Sequence, residues 1–294
     1  MSNYFLWTIE ETEKLKQYSG KMSFHKMKEL YFPNRTAISL QKKAIKLKLI
    51  SNFRKKKHIF NQEFYHQPNL VNSYFAGNFA ADGYLKYRGN STMYVLQVNS
   101  KDLELLESFK KACDFSGPIR SYQRKNYKKE TLKNVSSLIM TGVNPWRESL
   151  EKNFGIVENK TLRMSPPNII SQELKMAYII GYLDGDGSIL LRPKENRLSI
   201  RFYSCNLKIM EWILFELNNF LKLKNILNKA NLQKNKNLFC MEITNLRAAI
   251  IIYYLKDFPV PKLSRKWSNP LVLQCIEDYK QKYPEFFLDK PIIT

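Results

Sequence analysis

The amino-acid sequence predicts an α+β protein made of two similar αββαββα halves, preceded by a small unit of three helices. Three observations carry that expectation: an internal repeat, a change within each copy between strand-like and helix-like apolar spacing, and a crowding of positive charge at the start of the chain. They divide the 294 residues into a first module at 1–53, a basic linker at 54–68, one half at 69–166 and a second at 167–294.

The first 60 residues hold 14 Lys and Arg against 4 Asp and Glu, so nearly half of the chain's formal net charge of +22 sits in about a fifth of its length. Trp7 and Thr8, followed by Glu10 and Glu11, read as a helix start continuing through Leu15, with a second helix near Phe24 to Leu30 and a third from about Thr36 to Leu47. Together they resemble a Myb/SANT-like helix-turn-helix. That resemblance implies that Trp7 is core and that the third helix docks on DNA with Arg35, Gln41, Lys42, Lys43 and Lys46 outward. The run from Arg54 to His58 reads equally well as a solvated linker and as one that tracks a phosphate backbone.

Set against itself at an offset of 104, the rest of the chain pairs Tyr74 with Tyr178, Gly77 with Gly181, Asp82 with Asp186, Gly83 with Gly187 and Arg88 with Arg192. The register runs on without a gap. Tyr94, Leu96 and Val98 fall on Leu198, Ile200 and Phe202, alternating as one face of a half-buried strand does. Leu103, Leu105, Leu106 and Phe109 then fall on Leu207, Ile209, Met210 and Ile213, at helical spacing. Further strands are expected at Ile119 to Tyr122 and Ser137 to Thr141, and at Leu227 to Gln233 and Phe239 to Thr244, with a closing helix in each copy. A duplicated unit implies a pseudo-twofold axis, which suits a twofold target such as duplex DNA.

Each copy opens with an apolar helix carrying small residues four apart, Gly77 and Ala81 in one, Gly181 and Gly185 in the other. Such spacing lets two backbones approach closely, so the repeated helices are expected to pack on each other. Gly83 and Gly187 read as helix stops in the left-handed conformation. Asp82 and Asp186 just before them sit at the negative end of the helix dipole, and pairing the helices brings two such ends together. A hard divalent cation relieves that repulsion, so the pair reads as a shared site for Mg²⁺ or Mn²⁺ and points to phosphodiester hydrolysis. Taken singly, each Asp would be an ordinary helix-terminal carboxylate; recurrence in both copies makes that the weaker reading.

The segments FAGNFAADG (Phe75 to Gly83) and IIGYLDGDG (Ile179 to Gly187) resemble the two LAGLIDADG motifs of monomeric homing endonucleases, over about residues 69 to 294. The resemblance implies two four-stranded antiparallel sheets forming a saddle over the DNA major groove. It also implies metal held by Asp82 and Asp186 with the flanking Ala81 and Gly185, and a lysine near the end of each half beside the cleaved phosphate. GIVENKTL points to Lys160, and PKLSRKW offers Lys262 and Lys266, of which Lys266 is preferred because it follows Arg265 and precedes an aromatic residue. The first copy departs from the motif at Asn78, where an apolar residue is usual, and at Ala80, where an acidic one is common.

Residues on the outward face of the second strand of each half, Gln97 and Asn99 against Arg201 and Tyr203, are candidate base readers. Lys86, Arg88, Arg120, Arg124 and Arg192 are candidates for phosphate or base contacts, with a solvated outer face as the alternative. The expected partner is double-stranded DNA, bound by a monomer. Intron RNA, bound by a maturase on the same scaffold, and DNA, bound by a regulator that does not cut, are the rival readings.

Other chemistries are poorly supplied. Cysteines at 113, 205, 240 and 275 form no CxxC pair and read as reduced, mostly buried thiols, and histidines occur only at 25, 58 and 66. The longest apolar run, Ala248 to Leu255, falls far short of the roughly 20 residues that span a bilayer. The acidic turn after Trp7 is unlike a secretory signal, so an intracellular place is expected, in the cytoplasm of a bacterial or phage-infected cell or in an organelle matrix.

Overall fold

The computed structural model describes residues 6–49, 58–88, 91–125, 131–195, 197–223, 226 and 230–287. The chain forms two compact units, 1–57 and 58–294. The basic run at 54–57, the side chain of Arg88 and residues 227–229 of the strand expected from Leu227 to Gln233 lie outside the described residues; the described part of that strand begins only at Leu232.

In the smaller unit, three short helices each begin at a hydroxyl that accepts a free backbone N–H, the ordinary remedy for unsatisfied donors in a first turn. Helix α1 (Ile9–Tyr18) starts in a capping box, where Thr8 Oγ1 accepts from Glu11 N and the Glu11 carboxylate accepts from Thr8 N. Ser23 caps α2 (Phe24–Tyr31) and Thr36 caps α3 (Ala37–Lys46). Leu15, Met27, Phe32, Leu40 and Ala44 form its core, with Trp7 partly buried against them.

The larger unit repeats one topology. In the first half α4 (Leu70–Asp82) leads into β1 (Tyr84–Arg88) and β2 (Ser91–Asn99), then α5 (Leu103–Ala112), β3 (Ile119–Lys125), β4 (Leu132–Thr141), α6 (Asn144–Phe154) and the single turn α7 (Lys160–Arg163). In the second, α8 (Gln172–Asp186), β5 (Gly187–Arg192), β6 (Arg197–Ser204), α9 (Leu207–Lys222), β7 (Leu232–Asn235), β8 (Leu238–Thr244), α10 (Leu246–Leu255) and α11 (Ser264–Trp267) follow the same order, and α12 (Pro270–Lys282) is added. Each sheet is antiparallel, ordered β1-β2-β4-β3 and β5-β6-β8-β7. One continuous core runs under both, from Tyr65, Phe75 and Trp146 in the first half to Ile200, Ile213 and Ile251 in the second.

Three sequence expectations are corrected. Strands β3 and β4 run several residues further than expected, because their distal parts, such as Arg124, Lys125 and Leu132, are exposed and show no alternation to read. Residues 58–68 are not linker: Tyr65 is fully buried, its hydroxyl hydrogen-bonds that of Tyr94 at 3.0 Å, and Trp146 Nε1 donates to Asn61 O at 2.9 Å. Of the four reduced cysteines only Cys113 and Cys275 are buried; Cys205 is exposed and Cys240 intermediate. Among the described residues, no helix is long and apolar enough to cross a membrane.

Helices α4 and α8 are buried almost all round, which is why they lack an amphipathic pattern. They meet backbone to backbone. A Cβ added to Gly77 would overlap the Tyr178 carbonyl oxygen, and one added to Gly181 would overlap that of Tyr74. Asn78 lies inside this contact and donates to Gly181 O at 3.5 Å. Helix propensity alone would favour Gly→Ala by about 1 kcal/mol. Gly77→Ala and Gly181→Ala are nevertheless each expected to lower unfolding free energy by about 3 kcal/mol, the upper range of over-packing costs, in urea denaturation. A neutral or stabilising result would show that the helices can move apart freely.

Candidate active site

Helices α4 and α8 run side by side and end at the same level, in Asp82 and Asp186. Each chain segment then turns straight into a strand. The glycines that follow are extended rather than left-handed, with φ of −75° at Gly83 and −113° at Gly187. Room, not backbone strain, requires glycine there, since a Cβ would strike the Phe79 ring in one half and the Leu183 side chain in the other.

The two carboxylates are reached by solvent yet stand on densely packed protein. Lost hydration pushes the Asp82 carboxyl up to about 6, with the charge of Asp186 adding to the effect, and Lys160 and Lys266 opposing it. Burial also raises Asp186, against the same two lysines. The closeness of the pair across the interface is visible at Gly185, where a Cβ would lie 3.3 Å from Asp82 Oδ2.

Beneath each carboxylate a buried lysine closes the helix end. Lys160, 9% exposed, donates from Nζ to the carbonyls of Ala80 and Ala81. Lys266, 6% exposed, donates to Leu183 O and Asp184 O at 2.7 Å and to Gly187 O at 2.8 Å. A cation bound to the last carbonyls of a helix meets both their unsatisfied acceptors and the negative end of the dipole. Burial lowers both ammoniums to about 8; Asp186 and Asp82 oppose this at Lys160, as Asp184 chiefly does at Lys266. Lys262 is taken elsewhere. Its ammonium donates to Leu255 O and Phe258 O, closing the end of α10 instead.

Several side chains at this site escaped sequence reasoning. Asp184, buried, accepts from Tyr74 Oη at 2.8 Å, Leu263 N at 3.0 Å and Trp267 Nε1 at 2.8 Å. Asp102 receives both the Nε and Nη2 of Arg265, and Glu104 receives the backbone and hydroxyl of Ser264. The start of α5 in one half thus grips the lysine-bearing turn of the other. The only sequence sign was Asp184 standing where the first copy has Ala80.

The candidate DNA-contacting residues divide. Gln97, Asn99, Arg201 and Tyr203 lie on the sheet face opposite the core, as the register requires. Arg120 and Arg124 are exposed on β3, and Arg192 is exposed on β5 beside Glu195 at 3.3 Å. Lys86 is half-buried on β1. Gln97 accepts from Tyr122 Oη, and Asn99 is occupied capping Lys101 N. Arg201 is engaged across the strand with Glu242 at 2.9 Å, whose other oxygen takes Arg197 at 3.0 Å.

In the smaller unit Gln41, Lys42 and Lys46 are exposed on α3. Lys43 is half-buried, with its ammonium 5.4 Å from the Trp7 ring centre. Arg35 is corrected to a structural role: it forks onto Glu11 at 2.8 and 2.7 Å, donates to Leu6 O and stacks over Trp7. That pairing holds Glu11 down to about 2.

Among solved structures the chain is similar to the homing endonuclease I-WcaI bound to its DNA recognition sequence, with 15% identity, a TM-score of 0.52, and 80% of this chain and 93% of that chain covered. It is also similar to the I-SmaMI LAGLIDADG homing endonuclease bound to cleaved DNA (15% identity, TM-score 0.44, 77% and 96% covered) and to the N-terminal LAGLIDADG domain of DUF199/WhiA (14%, 0.41, 73% and 87%). At this identity the likeness to I-WcaI is one of fold, and the two-sheet architecture is that of the LAGLIDADG fold. No family model and no curated protein matches the sequence.

Because folding raises the Asp82 carboxyl from 3.8 to about 6, its contribution to stability is present below pH 4 and lost as pH rises through 6. At neutral pH the ionised group is therefore a burden on the metal-free protein. Asp82→Asn is expected to raise the melting temperature in chelator at pH 7.5 by about 2–4 °C, a modest gain because solvent screens the charge. The gain should shrink towards pH 4.5. A lower melting temperature at pH 7.5 would mean that the carboxylate is stabilised by its surroundings.

Proposed function

We propose that this protein is a divalent-metal-dependent endonuclease that cuts both strands of duplex DNA at a specific site. The observation that carries the proposal is the pairing of Asp82 with Asp186 at the ends of two abutting helices, each with a buried lysine beside it. Two carboxylates, both raised by burial and Asp82 further raised by the charge of Asp186, form with two carbonyl-rich helix ends a hard-oxygen donor set of the kind Mg²⁺ or Mn²⁺ accepts. Asp82 and Asp186 would hold the ion with the carbonyls of Ala81 and Gly185; Ala81 O already accepts from Lys160 but keeps a second lone pair. A bound ion supplies charge stabilisation at a phosphoryl oxygen and lowers the pKa of water.

The chain's own groups do the rest. Asp82 and Asp186 orient water and remain ionised once a cation offsets their repulsion. Lys160 and Lys266 keep positive charge next to the carboxylates below about pH 8, where it offsets charge gathering on a phosphate. The outward sheet faces, with Arg120 and Arg124 on one and Arg192 on the other, supply phosphate and base contacts along a groove. I-WcaI, which shares this fold, is bound to its DNA recognition sequence, which supports the same class of partner here. The small unit is proposed as a Myb/SANT-like module whose α3 adds DNA affinity through Gln41, Lys42 and Lys46.

Incubation with duplex DNA carrying the insertion junction of the gene is expected to give cutting that requires Mg²⁺ or Mn²⁺. Asp186→Asn, folded by circular dichroism, should cut both strands roughly a hundredfold more slowly or worse while still shifting DNA in a gel. Full cutting by that variant would rule out this site, and binding without cutting by the wild type would favour a regulator. Deleting residues 1–57 should weaken binding and flatten its dependence on log salt by about 2, as loss of two lysine–phosphate contacts requires. An unchanged salt slope would remove the small unit from the interface.

A further inference from the structure

Among the positions at which the two halves differ, one reaches the lysines. Position 80 of the first copy corresponds to 184 of the second, and Tyr74 corresponds to Tyr178. From α4, Tyr74 reaches across the helix interface and donates its hydroxyl to Asp184. The same carboxylate takes Leu263 N and Trp267 Nε1, so it holds both ends of the turn in which Lys266 lies. Asp102 and Glu104 grip Arg265 and Ser264 between those ends.

In the first half the corresponding residue is Ala80, which has no carboxylate to offer. The Tyr178 hydroxyl is buried and has no hydrogen-bond partner among the described residues, as expected of a group whose acceptor is missing. Leaving a buried hydroxyl unpaired is unfavourable, and its counterpart Tyr74 shows what would satisfy it. Lys160 is held by the carbonyls of Ala80 and Ala81, on a turn that begins at Asn159 with a φ of +56°.

We infer that Asp184 is a positioning residue that fixes Lys266 and has no equivalent for Lys160, so that the two DNA strands are cut at different rates and in sequence. The inference rests on the endonuclease reading above. A lysine whose turn is tied at both ends by a buried carboxylate is held more closely in place than one fixed through its own ammonium alone, and so adds more to a transition state. The strand served by Lys266 is therefore the first to be cut, and a nicked duplex accumulates before the double-strand break.

The test is a time course on a duplex labelled separately on each strand, with wild-type protein, Asp184→Asn and Trp267→Phe. Trp267→Phe keeps the ring in the core and removes a single bond to Asp184, so it remains informative if Asp184→Asn fails to fold. The wild type is expected to cut one strand faster, and each variant to slow that strand by roughly tenfold, the worth of a hydrogen bond to a charged group, while the slow strand stays within about twofold. Equal strand rates in the wild type, or equal slowing of both strands by a folded variant, would overturn the inference. Hydrogen exchange on the metal-free protein needs no cleavage. The amides of 263–267 should be protected more than those of 157–161, and Trp267→Phe should erase the difference. Protection of this kind without any cutting would sink the nuclease reading and leave the positioning role standing; equal protection in the wild type would sink the positioning role itself.

Discussion

The larger unit depends on the approach of two backbones. Where α4 crosses α8, each helix offers a glycine to the other's tyrosine carbonyl, Gly77 to Tyr178 and Gly181 to Tyr74. No side chain separates the helices at that point, so their ends are brought within electrostatic reach of each other. Both strands that start each sheet, β1 and β5, leave directly from those ends. The sheets, their outward faces and the paired aspartates are therefore all placed by one steric fact.

That placement creates an electrostatic conflict which the structure resolves only in part. Two helix C-termini carry partial negative charge, and each adds a full carboxylate. Lys160 and Lys266 neutralise the terminal carbonyls, having lost most of their hydration to do so. The aspartates remain raised.

Positive charge is the most conspicuous feature of the composition, yet some of the most conspicuous cations are internally committed. Arg35 locks the start of the small unit through Glu11, and Arg265 locks the lysine-bearing turn through Asp102. Arg201 shares Glu242 with Arg197 on an outward sheet face. Arginine suits these tasks because its planar fork can meet a carboxylate at two points. The excess that remains for a partner is carried by exposed residues such as Lys42, Lys46, Arg120 and Arg124.

What the sequence determined by itself was everything that repeats or alternates. The 104-residue offset marked both helices, both Asp-Gly ends and the first two strands of each half, because burial on one face imposes a period that survives in the residues. It also marked Asp82 and Asp186, which stand at matched positions of the repeat, whereas Lys160 was pointed to only by the resemblance of GIVENKTL to the family's context. The sequence preferred Lys266 over Lys262 on its neighbours, but only the fold shows where their ammoniums go, Lys266 to the end of α8 and Lys262 to the end of α10. Tertiary structure also assigned Arg35 to Glu11, extended β3 and β4 into solvent, and gave Asp184 three donors from Tyr74, Leu263 and Trp267. Those donors are 110, 79 and 83 residues away along the chain, and no local period records a partner that arrives only when two distant segments are packed together.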